Sequence, residues 1–140
     1  MWVFRNDAFV SLVQDRDMPD QLWARARVEG HLEAFFRDCI IGEVIETPDA
    51  DYRYRLAVDR GTVKSALIEA VNDIDYENFK NSIAKTPRGN RYHDALLDVW
   101  RAMFGLQRKE RDCEAAARRR AIGQRAAQRR KKGKKKGPKA

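Results

Sequence analysis

Apolar and polar residues alternate over residues 22–28, where Leu22, Ala24, Ala26 and Val28 are interleaved with Trp23, Arg25 and Arg27. A period of two marks a strand with one buried and one wet face. The same rhythm returns over residues 51–58, with Tyr52, Tyr54, Leu56 and Val58 set against Arg53, Arg55 and Ala57, and predicts a second such strand. Ahead of both, Trp2-Val3-Phe4 and the run from Phe9 to Val13 are short and β-prone, and Asn6-Asp7 between them tolerates turn geometry, so the chain opens as a hairpin. Pro19 ends a polar loop over residues 15–20. A short helix is expected over residues 30–36, turning Leu32, Phe35 and Phe36 to the core. Gly42 then interrupts the chain, Val44-Ile45 starts another extended piece, and Pro48-Asp49 forms a turn.

Beyond residue 58 the period changes to that of a helix. Asp59 is a suitable N-cap for a segment in which Val63, Leu67, Ala70, Val71 and Ile74 fall on one side. Asp75 is expected to cap a second, shorter helix carrying Tyr76, Phe79 and Ile83 into the core. Residues 85–90 read as a loop by composition. A third helix carries Tyr92, Leu96, Leu97, Trp100, Met103 and Phe104 at helical spacing. Strands first and helices afterwards predict an α+β fold, with an antiparallel sheet packed by helices on one face.

Charge divides the chain more sharply than hydropathy does. The formal net charge is +8. Residues 1–107 carry 14 Lys and Arg against 18 Asp and Glu, a balance of −4, whereas residues 108–140 carry 15 against 3, a balance of +12. The body is therefore mildly acidic, and the basic character belongs to the tail. Its first part, residues 110–128, is rich in the helix formers Ala, Arg and Gln. From Arg129 onward there is nothing to bury, and disorder is expected. The reading is thus a compact α+β domain over residues 1–107 and a helical-to-disordered basic extension over residues 108–140.

Several phrases of the body carry a resemblance: Met1-Trp2-Val3-Phe4, the run from Thr47 to Arg55, Ile74-Asp75-Tyr76-Glu77-Asn78-Phe79-Lys80, and the stretch from Tyr92 to Trp100 followed by Leu106-Gln107. In these the chain resembles a group of short bacterial and phage proteins of uncharacterised function. The resemblance covers about residues 1–107, implies a self-contained domain, and brings no chemistry with it. The Lys-rich tail lies outside it.

The tail is the leading candidate for function. Arg118, Arg119, Arg120, Arg125, Arg129, Arg130, Lys131, Lys132, Lys134, Lys135 and Lys136 place cations at a density that suits phosphates. Each neutralised phosphate releases condensed counterions, so binding would be strongly salt-dependent and indifferent to sequence. On a helix, Arg118, Arg125 and Arg129 share one stripe. A second candidate is the sheet: Arg25 and Arg27 with Trp23 on one strand, and Arg53 and Arg55 on the other, could stack and clamp a single strand if the two strands are neighbours. Amphipathic strands also put polar residues outward with no function attached, and nearby Asp or Glu would neutralise them.

A third constellation, Tyr76 with His93 and Asp94, holds raw material for acid–base catalysis, but Asp75 as a helix cap and Tyr76 and Phe79 as packing residues account for that stretch as well. His31 and His93 lack a third ligand at metal spacing, Cys39 and Cys113 form no motif, and no glycine-rich phosphate loop is present, so no metal or other cofactor is expected. No apolar run approaches the roughly 20 residues that span a bilayer. The expectation is a cytoplasmic, non-enzymatic protein associated with RNA or DNA and not with a membrane. Its tail would grip phosphate, and its body would supply partner or site specificity. The alternatives are a protein-binding regulator or inhibitor of a nucleic-acid enzyme, in the style of phage anti-defence proteins, and a hydrolase-like enzyme using His93, Asp94 and Tyr76.

Overall fold

The computed structural model describes residues 1–37, 39, 42–83 and 89–134. The fold is α+β. Strands β1 (Trp2–Phe4), β2 (Phe9–Gln14), β3 (Gln21–Ala26), β4 (Ile45–Glu46) and β5 (Tyr54–Asp59) form one antiparallel sheet in the order β1-β2-β3-β5-β4. Helix α1 (His31–Phe36) follows β3, α2 (Arg60–Asn72) follows β5, and α3 (Phe79–Ile83) and α4 (Gly89–Lys134) complete the chain. Two compact units are formed, Met1–His93 and Asp94–Ala140. The second contains most of α4, and the charge boundary at Gln107 falls inside that helix.

Register decides what each sheet face carries. Leu12 lies opposite Ala24, and Ala24 opposite Leu56, while Leu22 pairs with Val58. These side chains share one face, where all but the half-buried Leu22 are buried with Leu32, Phe35 and Phe36 of α1 and Val63 and Ala66 of α2. Residues one position along point the other way, because side chains alternate across a strand. The expected hairpin is present, with Phe4 opposite Phe9 and the Arg5 N–H donating to the Ala8 carbonyl at 2.7 Å. The β2–β3 turn is held by buried Asp15, whose Oδ1 accepts from the backbone N–H groups of Asp17 at 2.8 Å and Met18 at 3.1 Å. An aspartate that folds back on its own chain in this way substitutes for a backbone turn bond.

One polar cluster ties the elements of the first unit together. The Arg5 guanidinium, 9% exposed, bridges Asp7 at 3.1 Å and Asp73 at 3.2 Å. Arg37 bonds the same two carboxylates at 2.6 and 3.2 Å. The hairpin turn, the end of α1 and the end of α2 thus meet in a ring of alternating charge. Gly30 precedes α1 with φ 76°, a left-handed conformation that costs a residue with a Cβ about 1–2 kcal/mol.

Several expectations need correction. The second alternating strand begins at Tyr54, because residues 51–53 bend, and Tyr52 leaves the alternation. Val28 lies beyond β3 and is exposed. Of the stripe expected on α2, Val63 is buried and Leu67 and Ala70 are half-buried, but Val71 in the last turn is exposed, as is Ile74, which lies beyond the end of the helix. Asn78, not Asp75, caps α3, its Oδ1 accepting from the Asn81 N–H at 3.2 Å. Within α3, Ile83 is fully buried, while Tyr76 ahead of it and Phe79 are half-buried. Of the loop expected over residues 85–90, residues 85–88 lie outside the described residues, and Gly89 and Asn90 already belong to α4. Where the third helix and the basic extension read as separate pieces, α4 is continuous, since the Ala, Arg, Lys and Glu residues on either side of Gln107 are all good helix formers. It also runs through Lys134, past the onset of the expected disorder. Of the apolar residues at helical spacing on the third helix, Leu96 is buried, whereas Trp100, Met103 and Phe104 are exposed.

Asp59 performs the capping role read from the sequence. Its Oδ1 accepts from the Thr62 N–H at 2.9 Å, and its other oxygen accepts from the Thr62 hydroxyl. The hydroxyl first and the backbone N–H second hold the Asp59 carboxyl below the usual aspartate range. A depressed folded value means that the cap contributes stability above the unfolded aspartate value of about 3.9, and that this contribution is lost as pH falls through the lowered folded value. The Asp59→Ala protein should therefore melt at a lower temperature than the parent at neutral pH. In thermal unfolding followed by circular dichroism, the gap between the two should close as the solution is acidified below about pH 4.

Candidate nucleic-acid interface

The face of the sheet opposite the core assembles from residues of all five strands. Trp2 lies opposite Ser11, Ser11 opposite Arg25, Arg25 opposite Arg55, and Arg55 opposite Ile45. Adjacent strands are about 4.8 Å apart, so this single row places Trp2 and Arg55 about 14 Å from one another. Phe4 and Phe9, one pair along, stack on each other with centroids 4.6 Å apart. The Trp2 indole meets both edge-on, at 6.4 Å from Phe4 and 5.7 Å from Phe9. Trp2 remains 63% exposed, whereas Phe4 and Phe9 are half-buried. On the other side of the row, Val13 pairs with Trp23 and Trp23 with Ala57.

The four arginines read from the sequence are brought together, but not equivalently. Arg27 is bound by Asp51 at 2.6 Å, and Arg53 by Glu46 at 2.7 Å. These hydrogen-bonded carboxylates hold both guanidinium groups above their ordinary pKa. The rim pair is thus neutralised by neighbouring acids, as amphipathic strands allow. Arg25 and Arg55, inside the sheet, have no carboxylate partner among the described residues. Arg25 donates to the buried Ser11 hydroxyl at 3.0 Å, and Arg55 to the Tyr52 carbonyl at 3.1 Å.

Tyr52 organises this cluster. Its buried ring lies under both the Arg25 guanidinium, 4.5 Å from the ring centroid, and that of Arg27, at 4.3 Å. Attraction to the ring face offsets part of the cost of enclosing Arg25, whose Nε is buried without a hydrogen-bond partner among the described residues. The bend over residues 51–53 turns the ring to the arginine side, where strict alternation would have put it in the core.

The basic part of α4 is a separate surface in the second unit. Arg118, Arg119, Arg120 and Arg125 are exposed, and Arg118 lies at a long 3.9 Å from Glu114. Arg129, Arg130, Lys131, Lys132 and Lys134 extend the helix, and Lys135 and Lys136 lie outside the described residues. Residues 115–134 hold nine Lys and Arg and no Asp or Glu. At a rise of 1.5 Å per residue this is one cation per about 3.3 Å, close to the roughly 3.4 Å between phosphates along one strand of a duplex.

Tyr76 lines an open polar recess with Asn6, Asp75, Glu77, Asn78, Asn81 and Ser82, and His93 lies in the first turns of α4. Asp94 belongs to the second unit. His31 is buried and its Nδ1 lies 3.2 Å from the Phe9 backbone nitrogen. Cys39 is half-buried and Cys113 exposed, both as free thiols. Among the described residues no group of three His, Cys, Asp or Glu could hold a metal ion, and no helix is long and apolar enough to cross a membrane. Neither a family model, nor a curated protein, nor a solved structure matches this chain.

Sequence reading reached the arginines but missed Trp2, Phe4, Phe9 and Ser11 as members of their face. The signal was present in the four-residue connection from Arg5 to Ala8. Closing a hairpin there pairs Phe4 with Phe9 and fixes which face all of β1 and β2 present. Replacing Tyr52 tests the cluster. Tyr52→Leu should lower the free energy of unfolding by about 1–3 kcal/mol in urea titrations, and Tyr52→Phe by less than half as much, because it keeps a ring beneath both guanidinium groups.

Proposed function

We propose that this protein is a non-enzymatic nucleic-acid-associated protein in which the basic half of α4 grips the phosphate backbone and the folded body adds site or partner specificity. The observation that carries this reading is the acid-free stretch of residues 115–134, whose cations are exposed where the structure describes them and recur at close to phosphate spacing. Binding of this kind draws its free energy from counterion release and reads no bases. Arginine suits it because its planar fork matches two phosphate oxygens at once. A cytoplasmic setting accords with two free, widely separated thiols, which suit a reducing compartment.

A protein-binding regulator is the second reading, favoured by one observation. Trp100 and Phe104 stack with parallel rings 5.3 Å apart on α4 and are 50% and 43% exposed. Exposed aromatic pairs of this kind are typical anchors of protein interfaces.

A salt series separates the two readings. Binding of the full chain to a generic DNA duplex should weaken steeply with ionic strength. Changing Arg118, Arg119, Arg120 and Arg125 together to Gln should reduce the slope of log K against log salt by about 3–4, at about 0.9 for each phosphate no longer neutralised. An unchanged slope in that variant, or a duplex affinity indifferent to salt, would refute the nucleic-acid reading.

A further inference from the structure

We infer that the open face of the sheet binds an unpaired nucleic-acid strand, stacking bases on the Trp2–Phe4–Phe9 cluster while Arg25 and Arg55 take the adjoining phosphates or stack on further bases. The inference deepens the nucleic-acid reading and rests on it. It concerns a different surface, in the first unit, and a different chemistry.

Three observations on the one face carry it. The aromatic cluster packs on itself, edge-on and stacked, yet leaves the Trp2 indole 63% exposed. A large apolar ring in this state is poorly solvated, and a nucleobase offers it a π-face of comparable size. Next, Trp2, Ser11, Arg25 and Arg55 are successive partners in one cross-strand row, so aromatic and cationic groups are not scattered but follow in line across four strands. Charge completes the case. The nearby carboxylates Asp51 and Glu46 are taken up by Arg27 and Arg53, which leaves Arg25 and Arg55 as cations uncompensated by any carboxylate among the described residues, on a body of net negative charge.

Pairing alone makes this surface selective for single strands. In a duplex the faces of the bases are covered by their neighbours, and only backbone and groove edges are presented. In an unpaired strand they are free to stack on aromatic rings or on guanidinium planes. Arg25 is half-buried, with its guanidinium carbon 4.5 Å from the centroid of the Tyr52 ring, and a guanidinium so placed offers a base a cationic stacking partner. The tail, by contrast, needs only phosphates and does not distinguish the two forms in this way.

The test compares an oligo(dT) strand of about 15 nucleotides with the dA·dT duplex of the same length. Fluorescence anisotropy with the full chain is measured at about 0.15 M salt and again near 1 M, where exposed charges are largely screened. The single strand should bind at least about tenfold tighter than the duplex at high salt, because stacking survives screening. Trp2→Ala and Arg55→Gln should each weaken single-strand binding about fivefold or more and leave duplex binding unchanged, with thermal melts confirming that both variants fold. Trp2 sits on a short edge strand, and among the described residues Arg55 makes a single side-chain bond, so neither change empties the core. Equal affinity for the two forms, or a loss that affects both alike, overturns the inference while leaving salt-dependent duplex binding through α4 intact. Absence of binding to either form at low salt overturns both readings.

Discussion

Burial of Ala24 and Leu56 beneath α1 and α2 is the constraint on which the rest depends. Once these two residues face the core in register, Arg25 and Arg55 must face away together, since neighbouring side chains on a strand cannot share a face. The same alternation carries through β2 to β1, where burial of Val10 and Leu12 commits Phe9 and Ser11, and with them Trp2 and Phe4, to the opposite side. A slip of one residue between β3 and β5 would bring guanidinium groups into the core and aliphatic groups to the surface. The hydrophobic core therefore specifies the open face without touching it.

The Arg5–Asp7–Arg37–Asp73 ring adds a different kind of constraint. Breaking one partner of a mostly buried charge pair leaves the other desolvated without compensation, so such clusters fix geometry more than they add net stability. Here the geometry is that of the hairpin turn, which is what orients β1. The aromatic cluster at one edge of the sheet is in this way coupled to charges on the far ends of α1 and α2.

Much of this was legible in the sequence. The alternation over residues 22–26 and 54–58, the breaks at Pro19 and Gly42, and the Asp59 cap each rest on local physics that the fold did not override. What failed did so where tertiary context decides. Tyr52 reads as one more inward residue of a strand, but a bend turns it to the surface side, where two guanidinium groups enclose it. Val71 continues the helical stripe of α2 and Ile74 falls past the helix end, and neither meets a covering element, so both are exposed. The alignment of Trp2 with Arg25 and Arg55 could not be read at all from β1 alone, because three residues are too few to show a period, and it became visible only through pairing with β2. The candidate surface on α4 was fully apparent, since charge density needs no partner to be recognised.

Arg118, Arg119 and Arg120 are consecutive, and on an α-helix consecutive residues are turned by about 100°. Three such side chains sweep more than half of the circumference, and Arg125 falls back onto the azimuth of Arg118. Cations spread over so wide an arc fix no single roll angle: on the proposed reading, the helix could lie along a row of phosphates at several rotations about its own axis. Freedom of that kind would deny the helix any fixed alignment with base edges, and would let a bound strand slide along it without release.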